Sequence, residues 1–318
     1  MVTLGYFLSS EEHTPDALVE QARLAEEVGF DALWISDHFH PWNDAQGHSP
    51  FVWSVIGAIA QATSLPVTTA VTCPIMRMGP VITAQAAATS AVMLDGRFRL
   101  GVGSGEALNE QVLGDHWPPA PRRLEMLEES VGLMRELWQG GVVDHHGEFF
   151  TAENARIYTL PEQPPEVWVS AFGPRAAELA GRIGDGLVTT SVDEEVLSTF
   201  RAAGGKRTSV GFKVCWGDSE DEAVKTAHRL WANAGLPGEL SQVLSTPRHI
   251  EQASQLVTED ATRESVICGP DTGRHTAAYD QYLEAGFDEI YVGNIGHDYR
   301  RMLEAYGETV LPALRGSS

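Results

Sequence analysis

Asp31-Ala-Leu-Trp-Ile-Ser-Asp-His-Phe-His-Pro-Trp42 is an apolar run that opens into a polar loop. The apolar half reads as a short buried strand. Asp37, His38 and Trp42 then fall in the loop that follows it. α/β folds place their chemistry at such junctions, because the strand fixes position while the loop leaves side chains free to meet a ligand. Asp37 and His38 also put two titratable groups side by side, and an imidazole can change charge near neutral pH.

Working outward, the same strand-then-helix unit recurs along the whole chain. Strands are expected at 4–8, 31–35, 67–72, 98–102, 167–171, 186–190, 210–216, briefly at 265–268, and at 289–293. Helices are expected at 15–29, 51–62, 81–94, 124–138, 175–183, 220–231, 274–285 and 299–314. Thr14 is a suitable N-cap for the first helix, Pro15 suits its first turn and Gly29 its stop. Residues 143–158 read as an irregular hairpin, and 232–262 as an inserted helical segment with loops. Alternation of this kind predicts a parallel sheet with helical crossovers. About eight units in 318 residues suit a closed (β/α)8 TIM barrel; a doubly wound open sheet is the alternative. No linker-like stretch or internal repeat divides the chain, so 1–318 is expected to be a single domain with insertions at the barrel mouth.

The formal charge of −22 argues against a nucleic-acid partner, because phosphate backbones need a basic surface. No apolar run suits a membrane span, and no basic-then-apolar leader is present. Cys73, Cys215 and Cys268 are far apart and odd in number, which favours free thiols in a cytoplasmic protein. No Cys/His spacing matches a structural zinc site.

In a barrel the strand C-termini share one face, so residues distant in sequence converge there. That face would collect Ser9-Ser10-Glu11, Asp37-His38, Ala70 to Pro74, Gly103-Ser104-Gly105-Glu106, Ser170 to Gly173 and Thr189-Thr190-Ser191. It offers one histidine, several carboxylates, small hydroxyls and glycines, with few bulky cations. Metal-free proton and hydride chemistry fits this set better than metal hydrolysis. Simpler roles stand beside the functional ones. Asp37-His38 could brace a loop, and Glu106 could cap a helix. Gly101-Val-Gly-Ser-Gly is a common kind of turn, although it lets backbone amides approach a phosphate. His38 and His40 lack an obvious third metal ligand.

Three stretches together resemble a known family: Ser36-Asp-His-Phe-His-Pro-Trp42, Gly101-Val-Gly-Ser-Gly-Glu-Ala-Leu-Asn-Glu110 and Glu129-Ser-Val-Gly-Leu-Met-Arg-Glu-Leu-Trp138. They are similar to the coenzyme F420-dependent glucose-6-phosphate dehydrogenase group of the luciferase-like superfamily. The resemblance implies a homodimeric TIM barrel that binds the deazaflavin at its mouth. Asp37, Ala70, Val71, Cys73, Gly105, Asn109, Ser170, Ala171 and Gly173 would contact the cofactor, Ala70-Val71 as a bulge that often carries a cis peptide. His38, Trp42, Glu106 and Glu11 would surround the substrate. His38 would act as general base on an alcohol whose hydride passes to C5 of the deazaflavin, and Asp37 nearby could favour an imidazolium. Glu106 would protonate or stabilise the reduced ring, and Trp42 would pack over the reacting centre.

One departure stands out. The family's sugar-phosphate enzymes hold the phosphate with two lysines and an arginine. Val192 stands at the first lysine position, and no lysine follows Lys225. Arg274 matches the arginine. Each lost charge-assisted bond is worth roughly 1.5–3 kcal/mol, which argues for an unphosphorylated alcohol, sugar or carbonyl substrate. The alternatives are a sugar-phosphate enzyme with a rearranged anion site using Arg248, Arg263 or Arg274, an FMN-dependent monooxygenase, and a non-catalytic carrier.

Overall fold

The computed structural model describes residues 2–316. Eight parallel strands form a closed ring: β1 (Thr3–Leu8), β2 (Ala32–Ile35), β3 (Val67–Thr69), β4 (Phe98–Val102), β7 (Glu166–Ser170), β8 (Gly186–Thr189), β9 (Thr208–Cys215) and β11 (Glu289–Asn294). Between β4 and β7 lies an antiparallel hairpin, β5 (Val143–His146) and β6 (Thr151–Ala155). The short β10 (Ile267–Cys268) adds to the end of β9. The ring closes where β9 pairs with β8 and where β1 pairs with β11, Thr3 opposite Glu289. The expected (β/α)8 barrel is therefore the fold.

The strands are short and apolar on both faces because helices cover the outside while side chains fill the inside. Trp34, Trp168 and Tyr291 occupy the interior, and Trp34 stacks on Tyr291 with ring centroids 4.3 Å apart. Gly211 makes room for them: a Cβ there would lie 2.3 Å from the Trp34 ring. Phe7, Ala70 and Val71 pack on this aromatic plug. Leu33, Ile35, Val67, Leu100 and Val169 belong to the larger cluster shared with the helices, which include Ala84, Ala87 and Leu127.

Several elements differ from the sequence reading. The third strand ends at Thr69, not 72; the Ala70–Val71 peptide that follows is cis, and pairing resumes as a single bridge from Thr72 to Val102. The helix expected at 274–285 is two, Thr272–Ala277 and Asp280–Glu284, turned so that Tyr279 is buried edge-on to Phe212. The closing helix contains a π turn at Tyr306–Val310, where the Tyr306 hydroxyl meets His275 Nδ1 at 2.9 Å. A helix at Glu194–Ala202 was not anticipated. Asp193 caps it, accepting from the Glu195 and Val196 amides. Residues 232–262 form short turns and helices, including Leu240–Val243 and Pro247–Ser254, lying between β9 and β10 in the chain.

Candidate active site

The loop after β2 carries His38, and three groups fix it. Ser49 Oγ donates to the His38 carbonyl at 2.7 Å. Asn109 Oδ1 accepts from the Phe39 and His40 amides at 2.9 and 3.1 Å. That pairing orients the Asn109 amide, so its Nδ2 points at His38 Nδ1, 3.0 Å away. The His40 carbonyl lies 3.2 Å from the same nitrogen. Nδ1 therefore has a partner in either state: Asn109 donates to a bare nitrogen, and the His40 carbonyl accepts from a protonated one.

The other ring nitrogen, Nε2, faces Glu11 Oε1 at 3.4 Å. Trp42 lies against the imidazole, ring centroids 5.0 Å apart. Glu11 is almost fully buried, and its second oxygen accepts from Ser36 Oγ at 2.7 Å and Ser9 Oγ at 3.0 Å. Burial works to raise its carboxyl, but His38, Lys213 and the Ser36 bond together hold it below the ordinary value.

Asp37 does something different from what was expected. It does not serve the imidazole. Arg77 Nη2 donates to its Oδ1 at 2.8 Å, and Thr72 Oγ1 to its Oδ2 at 2.8 Å. Arg77 also engages Glu110, Nε to Oε1 3.6 Å, and its amide donates to Glu110 Oε2 at 2.9 Å. Burial pushes Glu110 up to about 7 despite Arg77, which it shares with Asp37. Cys73 lies beside this group, its thiol pushed well up by burial. The glycine turn after β4 sits directly on it. Gly105 has φ +76°, and a Cβ there would lie 2.6 Å from Cys73 Sγ and 2.9 Å from Glu110 Cγ. Only glycine meets both demands.

Glu106 follows at the N-cap position of the Ala107–Glu110 turn, without a capping bond of its own; its Oε2 lies 3.4 Å from Asn109 Nδ2. Ala70 and Val71 are partly exposed between buried Thr69 and Thr72, an apolar floor on the aromatic plug. Ser170 ends β7 and Ala171 is buried beside it. Gly173 caps the ten-residue helix Pro174–Ile183, and nothing lies within 4 Å of where its Cβ would be. Val192 is exposed. Arg274 is engaged: its guanidinium is 3.0 Å from Glu220 and 3.5 Å from the Cys268 carbonyl.

Two cations escaped the sequence reading, which expected few at this face. Arg77 comes from the irregular stretch before the third helix, where no periodicity signals its direction. Lys213 did leave a signal. It lies two residues beyond the inward-facing Gly211 on β9, so its side chain also points inward. Its Nζ donates to Ser9 Oγ at 3.0 Å and lies over the Trp231 ring at 3.9 Å.

A closed parallel barrel with its polar residues gathered at the strand C-termini defines an enzyme of the TIM-barrel class. The chain belongs to the luciferase-like monooxygenase family, whose model matches residues 2–289. It is 36% identical to the F420-dependent glucose-6-phosphate dehydrogenase of Amycolatopsis mediterranei (strain U-32) over 331 aligned positions, covering 99% of each chain. The corresponding enzyme of Microbacterium testaceum (strain StLB037) is 35% identical, with 98% and 97% covered. Among solved structures, an F420-dependent secondary alcohol dehydrogenase in complex with an F420–acetone adduct superposes with a TM-score of 0.91, at 33% identity over 98% of each chain. The coenzyme F420-dependent tetrahydromethanopterin reductase from Methanopyrus kandleri shares the fold, with a TM-score of 0.78 at 20% identity over 98% of this chain and 99% of that one.

Proposed function

We propose that this protein, an F420-dependent oxidoreductase, is a dehydrogenase of an unphosphorylated alcohol or sugar, with His38 as the general base. The arrangement of the His38 ring carries this reading. When Nδ1 carries the proton and donates to the His40 carbonyl, Nε2, which faces Glu11 Oε1 at 3.4 Å, is the bare nitrogen for a substrate hydroxyl.

The mouth suits a deazaflavin. Ala70 and Val71 present a partly exposed apolar floor on which a flat ring can rest. The first-turn amides of Pro174–Ile183 have no intrahelical acceptors, and the open Gly173 lets a phosphate-bearing tail reach them. Ser170 and Ala171 would line that tail, with Gly105, Asn109 and Cys73 around the ring. Asp37, locked to Arg77 and Thr72, would act from the wall of the site. When bound, F420 supplies a hydride acceptor at C5 of its ring.

The chain's own residues do the rest. His38 Nε2 takes the hydroxyl proton as the carbinol carbon is oxidised. Glu11, fixed by Ser9 and Ser36, places a negative charge beside the imidazolium so formed. Trp42 covers the ring and excludes water. Glu106 is a second proton-carrying group at the mouth. In the reverse direction, His38 Nε2 returns the proton to a carbonyl oxygen.

The substrate class follows from charge. Val192 offers no cation, and Arg274 is paired with Glu220, a carboxylate it shares with Arg263. The structural relative described as a secondary alcohol dehydrogenase agrees with a neutral substrate. The relatives named glucose-6-phosphate dehydrogenases favour a second reading, in which another arginine binds a phosphate. Arg263 is paired with Glu220 and Asp221; Arg248 is exposed, with no carboxylate partner among the described residues.

The test is a titration with F420 and, separately, FMN, followed by glucose 6-phosphate and then neutral sugars and alcohols in the same cuvette. F420 binding with bleaching of the deazaflavin band by neutral substrates alone is the expected result. Bleaching by glucose 6-phosphate overturns the substrate class. Binding of FMN but not F420 overturns the cofactor and the mechanism built on it.

A further inference from the structure

Beneath His38 lies a polar chain whose far end, Lys213, the reaction as written does not use. Lys213 Nζ donates to Ser9 Oγ at 3.0 Å; the Ser9 hydroxyl donates to Glu11 Oε2 at 3.0 Å; Glu11 Oε1 faces His38 Nε2 at 3.4 Å. The hydroxyl's polarity is thereby set: its oxygen takes the ammonium proton, so its hydrogen is turned to the carboxylate. Lys213 is held on its other sides by apolar rings, Trp231 at 3.9 Å and Phe7 at 4.5 Å. Glu12 is its nearer carboxylate, Oε1 lying 4.0 Å from Nζ, and Lys213 reaches Glu11 only through the Ser9 hydroxyl. Glu12 is also occupied elsewhere, accepting from Trp231 Nε1 and the Gly296 amide at 2.6 Å each.

We propose that Lys213 is a positioning residue for the dehydrogenase: acting through the Ser9 hydroxyl, it holds the Glu11 carboxylate beside His38 Nε2, where the substrate's proton arrives. A lysine in this place is otherwise costly, because it must shed most of its water inside the barrel. Burial pushes its ammonium down, while the same surroundings leave Glu11 lowered and Glu12 raised. The groups facing Glu11 are His38 from the loop after β2, Lys213 from β9, Glu12 and His13 from its own loop, and the Ser9 and Ser36 hydroxyls. His13 is itself pushed down to about 3 by burial and by neighbouring His297 and Lys213, so it adds no charge at neutral pH. Lys213 is thus the resident cation that sustains the carboxylate before any proton reaches His38.

The proposal rests on the dehydrogenase reading, but its deciding test does not. The Glu11 carboxyl carbon is followed by 13C NMR in glutamate-labelled protein without cofactor, assigned by its absence in Glu11→Gln. Lys213→Met is expected to move the Glu11 midpoint to higher pH, and Ser9→Ala to move it the same way by less. Ser9→Ala carries the test alone if Lys213→Met does not fold. With F420 and an alcohol that wild type oxidises, Lys213→Met should lower kcat about tenfold or more, with F420 affinity kept within about twofold. The same change in a Glu11→Gln background should cost less than about twofold, because the group it acts through is gone. An unmoved Glu11 midpoint, or equal losses in both backgrounds, overturns the proposal and leaves Lys213 a packing residue. A shifted midpoint in a protein that oxidises no alcohol sinks the dehydrogenase reading and keeps the link between Lys213 and Glu11.

Discussion

Asn109 reaches the ring of His38 from 71 positions away in sequence, its Nδ2 3.0 Å from Nδ1, while its Oδ1 closes the backbone of the same loop. One buried amide thus sets both the path of the loop and the orientation of the imidazole. Asn109→Ala would orphan two backbone amides and should cost on the order of 1–3 kcal/mol in chemical denaturation. Asn109→Asp keeps the acceptor but sets a negative charge against Nδ1. Stability should largely survive, while the pH at which the base becomes active moves up. A turnover profile that does not move would show that Asn109 does not govern the ring.

His38→Ala should reduce alcohol oxidation by about 10²–10⁴, the usual contribution of a positioned general base. F420 affinity, read by absorbance titration, should change by no more than a few-fold. Turnover at close to the wild-type rate would remove His38 from the base role.

Glu110 links the site to pH. Its carboxyl is raised from 4.5 to about 7 by burial, so the fold holds a proton that the unfolded chain gives up more readily. The stability this contributes is complete below the unfolded value and is lost as pH climbs through the folded one. Glu110→Gln removes the linkage. The variant should therefore gain relative to wild type between about pH 5 and 8, by on the order of 2–3 kcal/mol. Parallel stability curves for the two proteins would falsify the assignment.

Val192→Lys should place a cation at the position where the sugar-phosphate enzymes carry one. A single charge-assisted bond corresponds to about tenfold or more in affinity. Glucose 6-phosphate should then compete with, or replace, the neutral substrate at least that much better. If competition is unaltered, residue 192 does not face the substrate.

The barrel was legible in the sequence because its strands are buried on both faces. Ala32–Ile35, Phe98–Val102 and Glu166–Ser170 read as nearly continuous apolar runs, and the helices between them repeat the pattern. The β2 loop was legible for a related reason: the apolar run stops at Ile35 and polar Ser36-Asp37-His38 follow at once. The helix Glu194–Ala202 could have been found from Asp193, the acidic first turn and Gly204 beyond it; its mixed polar face hid it. The pairings inside the site were not legible. Asp37 with Arg77, and Ser9 with Lys213, join residues 40 and 204 positions apart. Adjacency in the chain suggested Asp37 as the partner of His38. The fold instead turned Asp37 to Arg77 and brought Glu11 from the turn after the neighbouring strand β1.

The pairing of β1 with β11 sets the order in which this molecule can be born. On the ribosome, residues 3–8 emerge early, but one edge of that strand has no partner until residues 289–294 are synthesised. Contacts so distant in sequence form slowly and leave a sheet edge open to other chains. Glu11 lies just after β1 and Lys213 on β9, so a product stalled before β9 would hold Glu11 without the lysine that reaches it through Ser9. The ring itself closes only when β11 joins β1 to β9.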